Sequence, residues 1–141
     1  MTLSEKASSA SPALLRLLLV DDNHINLRIL SRLLTKHFAD QIQHMELVQD
    51  GLEALKLLHH QPFDLVLMDI DMPILNGVET TRRIRAMEHE NSNVPIVAVT
   101  TNDTLDQKQL YADIGMCACI SKPIIPDELK KILDQVFPRF A

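Results

Sequence analysis

An α/β fold, a parallel sheet of five strands with helices on both faces, is what the sequence predicts, and three observations predict it. Apolar runs alternate with amphipathic stretches along the chain after its head. Several of the runs are apolar without alternation, the pattern of strands covered on both sides. The connections are short, so strand–helix–strand units close as right-handed crossovers between parallel neighbours. With 141 residues, 46% of them hydrophobic and 23% charged, the chain suits one compact domain.

Residues 1–12 are small and polar without a hydrophobic period, so a disordered tail is expected there, followed by a folded domain over 13–141. The first strand is read at Leu15 to Asp21, and Leu27, Leu30 and Leu34 give the helix after it an apolar stripe. Met45 to Gln49 is the second strand. Asp50 is placed to cap a helix striped by Leu52, Leu55 and Leu58. Phe63 to Asp69 is the third strand, and Asn76 announces a helix from about Gly77 to His89. Val94 to Thr100 is the fourth, followed by a helix over about Thr104 to Ile114 that stops at Gly115, the usual place for a left-handed cap. Met116 to Ser121 is the fifth strand. Pro126 and Asp127 open a last helix whose Leu129, Ile132, Leu133 and Val136 share a face.

Composition excludes several classes of function. A formal charge of -5 offers no basic surface for nucleic acid or an anionic membrane. The apolar run up to Val20 is too short to span a bilayer and is broken by Arg16. Cys117 and Cys119 are one residue apart, on one face of a strand and too close for an unstrained disulfide, which points to reduced thiols and an intracellular protein. The six histidines show no metal-site spacing; His59 and His60 are adjacent and would diverge on a helix.

In an open parallel sheet, ligands bind beyond the carboxyl ends of the strands, near the point where strand order reverses. That rule selects Asp21 and Asp22, Asp69, Thr100 and Lys122. No glycine follows the first strand, so a phosphate cannot approach the backbone there as in nucleotide-binding loops. Three carboxylates at one mouth repel one another, so either one takes a proton or a cation settles between them. Hard oxygen ligands suit Mg²⁺. A carboxylate beside Mg²⁺ can attack a phosphoryl group, while Lys122 and the Thr100 hydroxyl serve two phosphoryl oxygens. Pro123 after Lys122 could hold a cis peptide, although trans is the commoner state. Taken singly, Asp21 and Asp22 could equally cap a helix, and Lys122 could be a solvated charge.

Val20-Asp21-Asp22-Asn23, Met68-Asp69-Ile70-Asp71-Met72-Pro73 with Gly77, Thr100, and Ser121-Lys122-Pro123, in this order and spacing, resemble the receiver domain of two-component response regulators. Asp50-Gly51-Leu52-Glu53-Ala54-Leu55 also has the family's look, and the likeness runs from about Leu15 to Val136. Asp22-Asn23-His24-Ile25-Asn26 is most similar to receivers of hybrid histidine kinases and eukaryotic stand-alone receivers.

The resemblance implies a flavodoxin-like (βα)5 sheet in the order 2-1-3-4-5. It implies Asp69 as phosphoacceptor, with Mg²⁺ held by Asp22, Asp69 and the backbone carbonyl of Asp71, and by Asp21 through water. Thr100 and Lys122 would read the phosphoryl oxygens. The donor would be a phosphohistidine on a histidine kinase or histidine phosphotransfer protein, docking near Ile25, Asn26 and Pro123. Such a protein catalyses its own phosphotransfer and dephosphorylation and is not a conventional turnover enzyme. It would be cytoplasmic, entering the nucleus as well if the source is eukaryotic. Only Pro138-Arg139-Phe140-Ala141 follow the last helix, so a receiver without an output domain is expected, signalling to an unidentified downstream protein through its fourth helix, fifth strand and fifth helix.

One position departs from the family pattern. Three residues before Lys122, where receivers usually carry the aromatic that turns inward on phosphorylation, stands Cys119. Tyr111, the sole tyrosine, could cover part of that gap, but reads more simply as a surface or partly buried aromatic. Asp71 and Asn102 occupy positions that in the family tune acyl-phosphate lifetime. Two rivals remain: a haloacid-dehalogenase-like phosphatase, suggested by Asp69-Ile70-Asp71, and a degenerate receiver that binds partners without being phosphorylated.

Overall fold

A computed structural model describes residues 14–138 of the chain. The expected tail over 1–12 and the last three residues lie outside the described residues. Five parallel strands, β1 (Leu15–Val20), β2 (Ile42–Val48), β3 (Leu65–Asp69), β4 (Ile96–Thr100) and β5 (Ala118–Ser121), stand in the order β2-β1-β3-β4-β5. Between and after them run α1 (His24–Phe38), α2 (Gly51–Leu58), α3 (Gly77–Arg85), α4 (Leu105–Asp113) and α5 (Pro126–Val136), with short 3-10 turns at Ala39–Gln41 and Glu90–Asn93.

Because side chains alternate across a strand, the three central strands divide their residues between two cores. Leu17, Leu19, Leu65, Leu67, Val97 and Val99 face α1 and α5, where Leu27, Leu34, Leu129 and Leu133 cover them. Leu18, Val20, Val66, Met68, Ile96 and Ala98 face the other way, against Ala54, Leu58, Ile84 and Tyr111 of α2, α3 and α4. Each fully buried leucine contributes about 2 kcal/mol by area removed from water. This two-sided burial is why these strands lack polar alternation.

Several boundaries and faces differ from the sequence expectation. The second strand begins at Ile42 rather than Met45, because β2 is an edge strand whose Gln43 and His44 stay exposed while the backbone pairs with β1. Asp50 does cap α2, accepting the Glu53 backbone N–H at 2.8 Å. The buried face of that helix, however, is Gly51, Ala54 and Leu58, and Leu52 is 49% exposed. Small residues win because α2 lies close to α3: a Cβ on Gly51 would fall 2.1 Å from Thr80 Oγ1. Asn76 caps α3 as expected, yet the helix stops at Arg85, four residues short of His89. There Arg85 turns to bond the carbonyls of Ser92 and Gly115, and Asn91, buried, ties the return segment to the carbonyls of Leu58 and Gln61 at 2.7 Å each. Thr104 caps α4, and Gly115 takes φ +102° at its end. The fifth strand starts at Ala118, so Cys117 precedes it instead of sharing its face with Cys119; both thiols are free.

Candidate functional site

The order of the strands reverses between β1 and β3: α1 leaves β1 to one face of the sheet, and α3 leaves β3 to the other. Asp69, the last residue of β3, sits in register with Val99, one residue before Thr100, and Lys122 N–H donates to the Thr100 carbonyl at 2.9 Å. Backbone pairing alone therefore brings these strand ends to one mouth. Asp21, Asp22 and Asp69 each offer a carboxylate oxygen within 4.8 Å of the others, Asp21 and Asp69 buried and Asp22 exposed. Two unit charges at that separation repel by about 3.5 kcal/mol at an effective dielectric of 20.

Lys122 offsets part of this repulsion. Its Nζ donates to Asp69 Oδ1 at 2.8 Å and lies 3.6 Å from Asp21 Oδ2. Even so, the Asp69 carboxyl is pushed up to about 6: burial raises it most, the Lys122 hydrogen bond lowers it, and the Asp21 and Asp22 charges raise it further. Burial alone would pull the Lys122 ammonium down, but the hydrogen bond it donates to Asp69 and the charges of Asp69 and Asp21 outweigh it and hold the amine above its ordinary range. The mouth thus carries a strained excess of negative charge. Three hard oxygen donors, one of them solvent-facing, fit Mg²⁺ with several waters retained.

The helix-cap alternative for the acidic pair is not what the structure shows. Asn23 caps α1, accepting the N–H groups of Ile25 and Asn26 at 2.9 and 3.2 Å, while Asp21 accepts the Asn23 N–H at 2.9 Å. Asp22 performs neither task and points to the mouth. Thr100 is fully buried, and its Oγ1 accepts the Asn102 N–H at 2.9 Å. Asp71 lies exposed two residues beyond Asp69. The Lys122–Pro123 peptide is cis.

Of the expected docking residues, Ile25, Asn26 and Pro123 are all exposed. Asn26 and Pro123 line a groove of about 370 Å³ that runs from Asp21 and Lys122 along Ile29, Leu30, Leu33 and Ile124. Ile29 escaped the sequence reading, although Ile25, Ile29 and Leu33 stand four apart on α1, a second apolar stripe beside the core-facing one. Cys119 and Tyr111 both line a cavity of about 300 Å³ between α4, β5 and α5. Tyr111 is not a surface residue: it is 2% exposed, and its hydroxyl donates to the Asn102 carbonyl at 3.2 Å, tying α4 to the loop after Thr100. Burial pushes the Cys117 and Cys119 thiols up, away from the reactive thiolate form.

Comparison with known proteins agrees with this geometry. The sequence pattern of the family described as "Response regulator receiver domain" matches residues 17–134. The chain is 36% identical over 114 residues to the signal transduction histidine-protein kinase BarA of Escherichia coli, covering 81% of this chain and 12% of that protein. It is 41% identical over 107 residues to stress response regulator protein 1 of Debaryomyces hansenii, covering 76% and 43%. The chain thus spans less than half of the length of either. Among solved structures, the receiver domain of the sensor histidine kinase PA1611 from Pseudomonas aeruginosa, with magnesium coordinated in its active-site cleft, is 33% identical with a TM-score of 0.74 over 87% of this chain and 97% of that one. A chain from the co-crystal of the Saccharomyces cerevisiae histidine phosphotransfer protein Ypd1 with the receiver domain of Ssk1 is 28% identical with a TM-score of 0.78, covering 91% and 92%.

Proposed function

The chain belongs to the response regulator receiver domain family, and on that premise we propose that Asp69 accepts a phosphoryl group from a phosphohistidine on a histidine kinase or histidine phosphotransfer protein, as one step of a phosphorelay. The observation that carries this reading is the buried Asp69 carboxylate held at 2.8 Å by Lys122 and crowded by two further carboxylates. Like charge gathered and partly buried at one strand end costs stability, which is the pattern of a functional site. The receiver domain is taken to run over 13–141.

Asp21, Asp22 and Asp69 would hold Mg²⁺, with the Asp71 carbonyl completing the protein's share. The ion supplies charge neutralisation, letting an anionic carboxylate meet an anionic phosphoryl group. An Asp69 oxygen attacks phosphorus; the P–O bond forms as the P–N bond breaks, and the bonding pair leaves with an imidazole protonated on its other nitrogen, so a neutral ring departs. Lys122 passes from Asp69 Oδ1 to a phosphoryl oxygen, and the Thr100 hydroxyl donates to another. Thr100 Oγ1 also accepts the Asn102 N–H, so a shift of the hydroxyl toward the phosphoryl group draws on the β4–α4 loop, the segment that answers phosphorylation. Tyr111, bonded to the same Asn102, carries the shift into α4, in a chain where Cys119 replaces the usual aromatic. Hydrolysis of the acyl phosphate returns Asp69 to its resting state, so the protein cycles and does not turn over a soluble substrate. The partner enters along the α1 groove, over Ile25, Asn26 and Pro123.

Incubation with acetyl phosphate and Mg²⁺, followed by intact mass, tests the reading. One labile phosphoryl adduct is expected, absent in Asp69→Asn and without added metal. No adduct from acetyl phosphate or from a phosphohistidine protein would leave a receiver that only binds. Sustained turnover of small phosphomonoesters, abolished by Asp71→Asn, would instead indicate a phosphatase.

A further inference from the structure

At one margin of the sheet β2 is hydrogen-bonded only to β1, and among the described residues no strand pairs with its outer edge. Along a strand of a parallel sheet, the backbone N–H and C=O of every second residue point to the same side. The Val48 carbonyl accepts the Asp21 N–H at 3.2 Å, which turns Val48, and with it Glu46 and His44, toward β1. Met45 and Leu47 therefore present their backbone N–H and C=O groups outward. Such a row is a template for a further strand, and the usual guards are proline, lysine or a covering segment. Ile42–Val48 contains neither proline nor lysine. Its one irregularity of register lies at its start, between the partners of Leu15 and Arg16. A groove of about 370 Å³, lined by Ser31 and Thr35 of α1 and by Gln43, Met45 and Leu47, lies beside the strand, so the helix does not close over the edge.

Side chains alternate as well. His44, Glu46 and Val48 pair with Arg16, Leu18 and Val20 on the face covered by α2, while Met45 and Leu47 pair with Leu17 and Leu19 on the face covered by α1. His44 and Glu46 meet at 2.6 Å, imidazole N–H to carboxylate, so the strand carries a donor and an acceptor two residues apart on one face. Two copies of such a strand, run antiparallel about a twofold axis, are self-complementary. With the axis at Met45, the two Met45 residues exchange both backbone bonds, and His44 stands opposite the partner's Glu46 at a non-hydrogen-bonded position, where side chains are closer. Leu47, 38% exposed, then lies diagonally across from the partner's Met45. Moving the axis by one residue in either direction sets Glu46 against Glu46 or His44 against His44, so side-chain chemistry selects one register.

We propose that the outer edge of β2 is a self-association surface, where two copies of this chain join as an antiparallel pair centred on Met45 and make one continuous sheet from two five-stranded halves. The occupant is a second copy, and the argument for it is the match of imidazole to carboxylate on both sides of the axis. All strands within a copy are parallel, so antiparallel joining points the two acidic mouths to opposite ends of the assembly. Asp69 lies outside the interface, because β1 stands between β2 and β3. The proposal is therefore independent of the phosphotransfer reading.

Sedimentation velocity of the full chain at about 1 µM to 1 mM, the range of weak reversible association, tests it. The unsubstituted chain should show monomer–dimer exchange. His44→Glu sets two carboxylates against each other across the axis and should weaken the dimer at least about tenfold. Adding Glu46→Lys restores an opposite pair and should return the dissociation constant to within about threefold. The His44 and Glu46 side chains are 48% and 36% exposed, so both variants should keep the fold, which circular dichroism checks. Amide exchange at Met45 and Leu47 should slow with rising concentration in the unsubstituted chain and in the double variant. A monomer at every concentration overturns the proposal, whether the edge stays bare or another part of the chain covers it. So does a dimer that His44→Glu leaves unweakened, or one whose loss the double variant does not reverse, since either result places the interface elsewhere.

Discussion

Replacing Asp69 by Asn should stabilise the metal-free protein. The Asp69 carboxyl has an ordinary value of 3.8 and a folded value of about 6. Between those two pH values the folded chain holds a proton that the unfolded chain has released, so stability falls as pH rises through this window. Well above pH 6 the deficit is constant, about 3 kcal/mol. Asparagine keeps the shape and carries no charge, which removes the deficit. Lys122 can still donate to the amide oxygen and keeps Asp21 at 3.6 Å, and the lost attraction to the Asp69 charge is already contained in the folded value of about 6. The net gain is about 3 kcal/mol, or roughly 10 °C for a chain of this size. Thermal unfolding in excess chelator at pH 7.5 reads it directly. The gain should vanish near pH 4, where the wild-type carboxyl is itself largely protonated when folded. A lower melting temperature for Asp69→Asn at pH 7.5, or an equal gain at both pH values, would refute the argument that burial and neighbouring carboxylates destabilise the ionised form.

Added Mg²⁺ should raise the melting temperature of the wild-type chain, by about 2.7 kcal/mol of stability at one hundred times its dissociation constant. Asp22→Ala should abolish that response yet melt no lower in chelator, because Asp22 caps no helix; a calorimetric titration of each protein with Mg²⁺ checks the first half and a melt the second. Gly77→Ala should cost about 3 kcal/mol, since a Cβ there would meet the Asp69 carbonyl at 2.3 Å and the Ile70 Cα at 2.9 Å, both backbone atoms beside the phosphoacceptor. Denaturant unfolding measures the loss, and a change below about 1 kcal/mol would show that the β3–α3 junction yields more easily than its packing indicates.

The residues of the candidate site were legible in the sequence because they depend on local rules. Unbroken apolar runs mark strands buried on two faces, and the residue ending each run must fall at the carboxyl edge of a parallel sheet. Asp21, Asp22, Asp69, Thr100 and Lys122 follow from that alone, as do the caps at Asp50, Asn76 and Gly115. What the sequence could not reveal depends on neighbours distant along the chain. Leu52, Leu55 and Leu58 look like a core stripe, but the face turned inward is decided by how closely α2 approaches Thr80, and there only Gly51 and Ala54 fit.

The same distinction separates Tyr111 and Ile74 from the rest. A tyrosine on a weakly amphipathic helix reads as surface, and only the space beside Cys119 and the carbonyl of Asn102 make it a buried tether. Ile74 draws no reading from the sequence, and its positive φ appears only once the β3–α3 excursion is closed. By itself, then, the sequence determined which chemistry collects at the strand ends, since periodicity and chain order are one-dimensional properties. Tertiary structure decided the distances and the upward shift of the Asp69 carboxyl, because burial and charge proximity are set by segments that meet only in space.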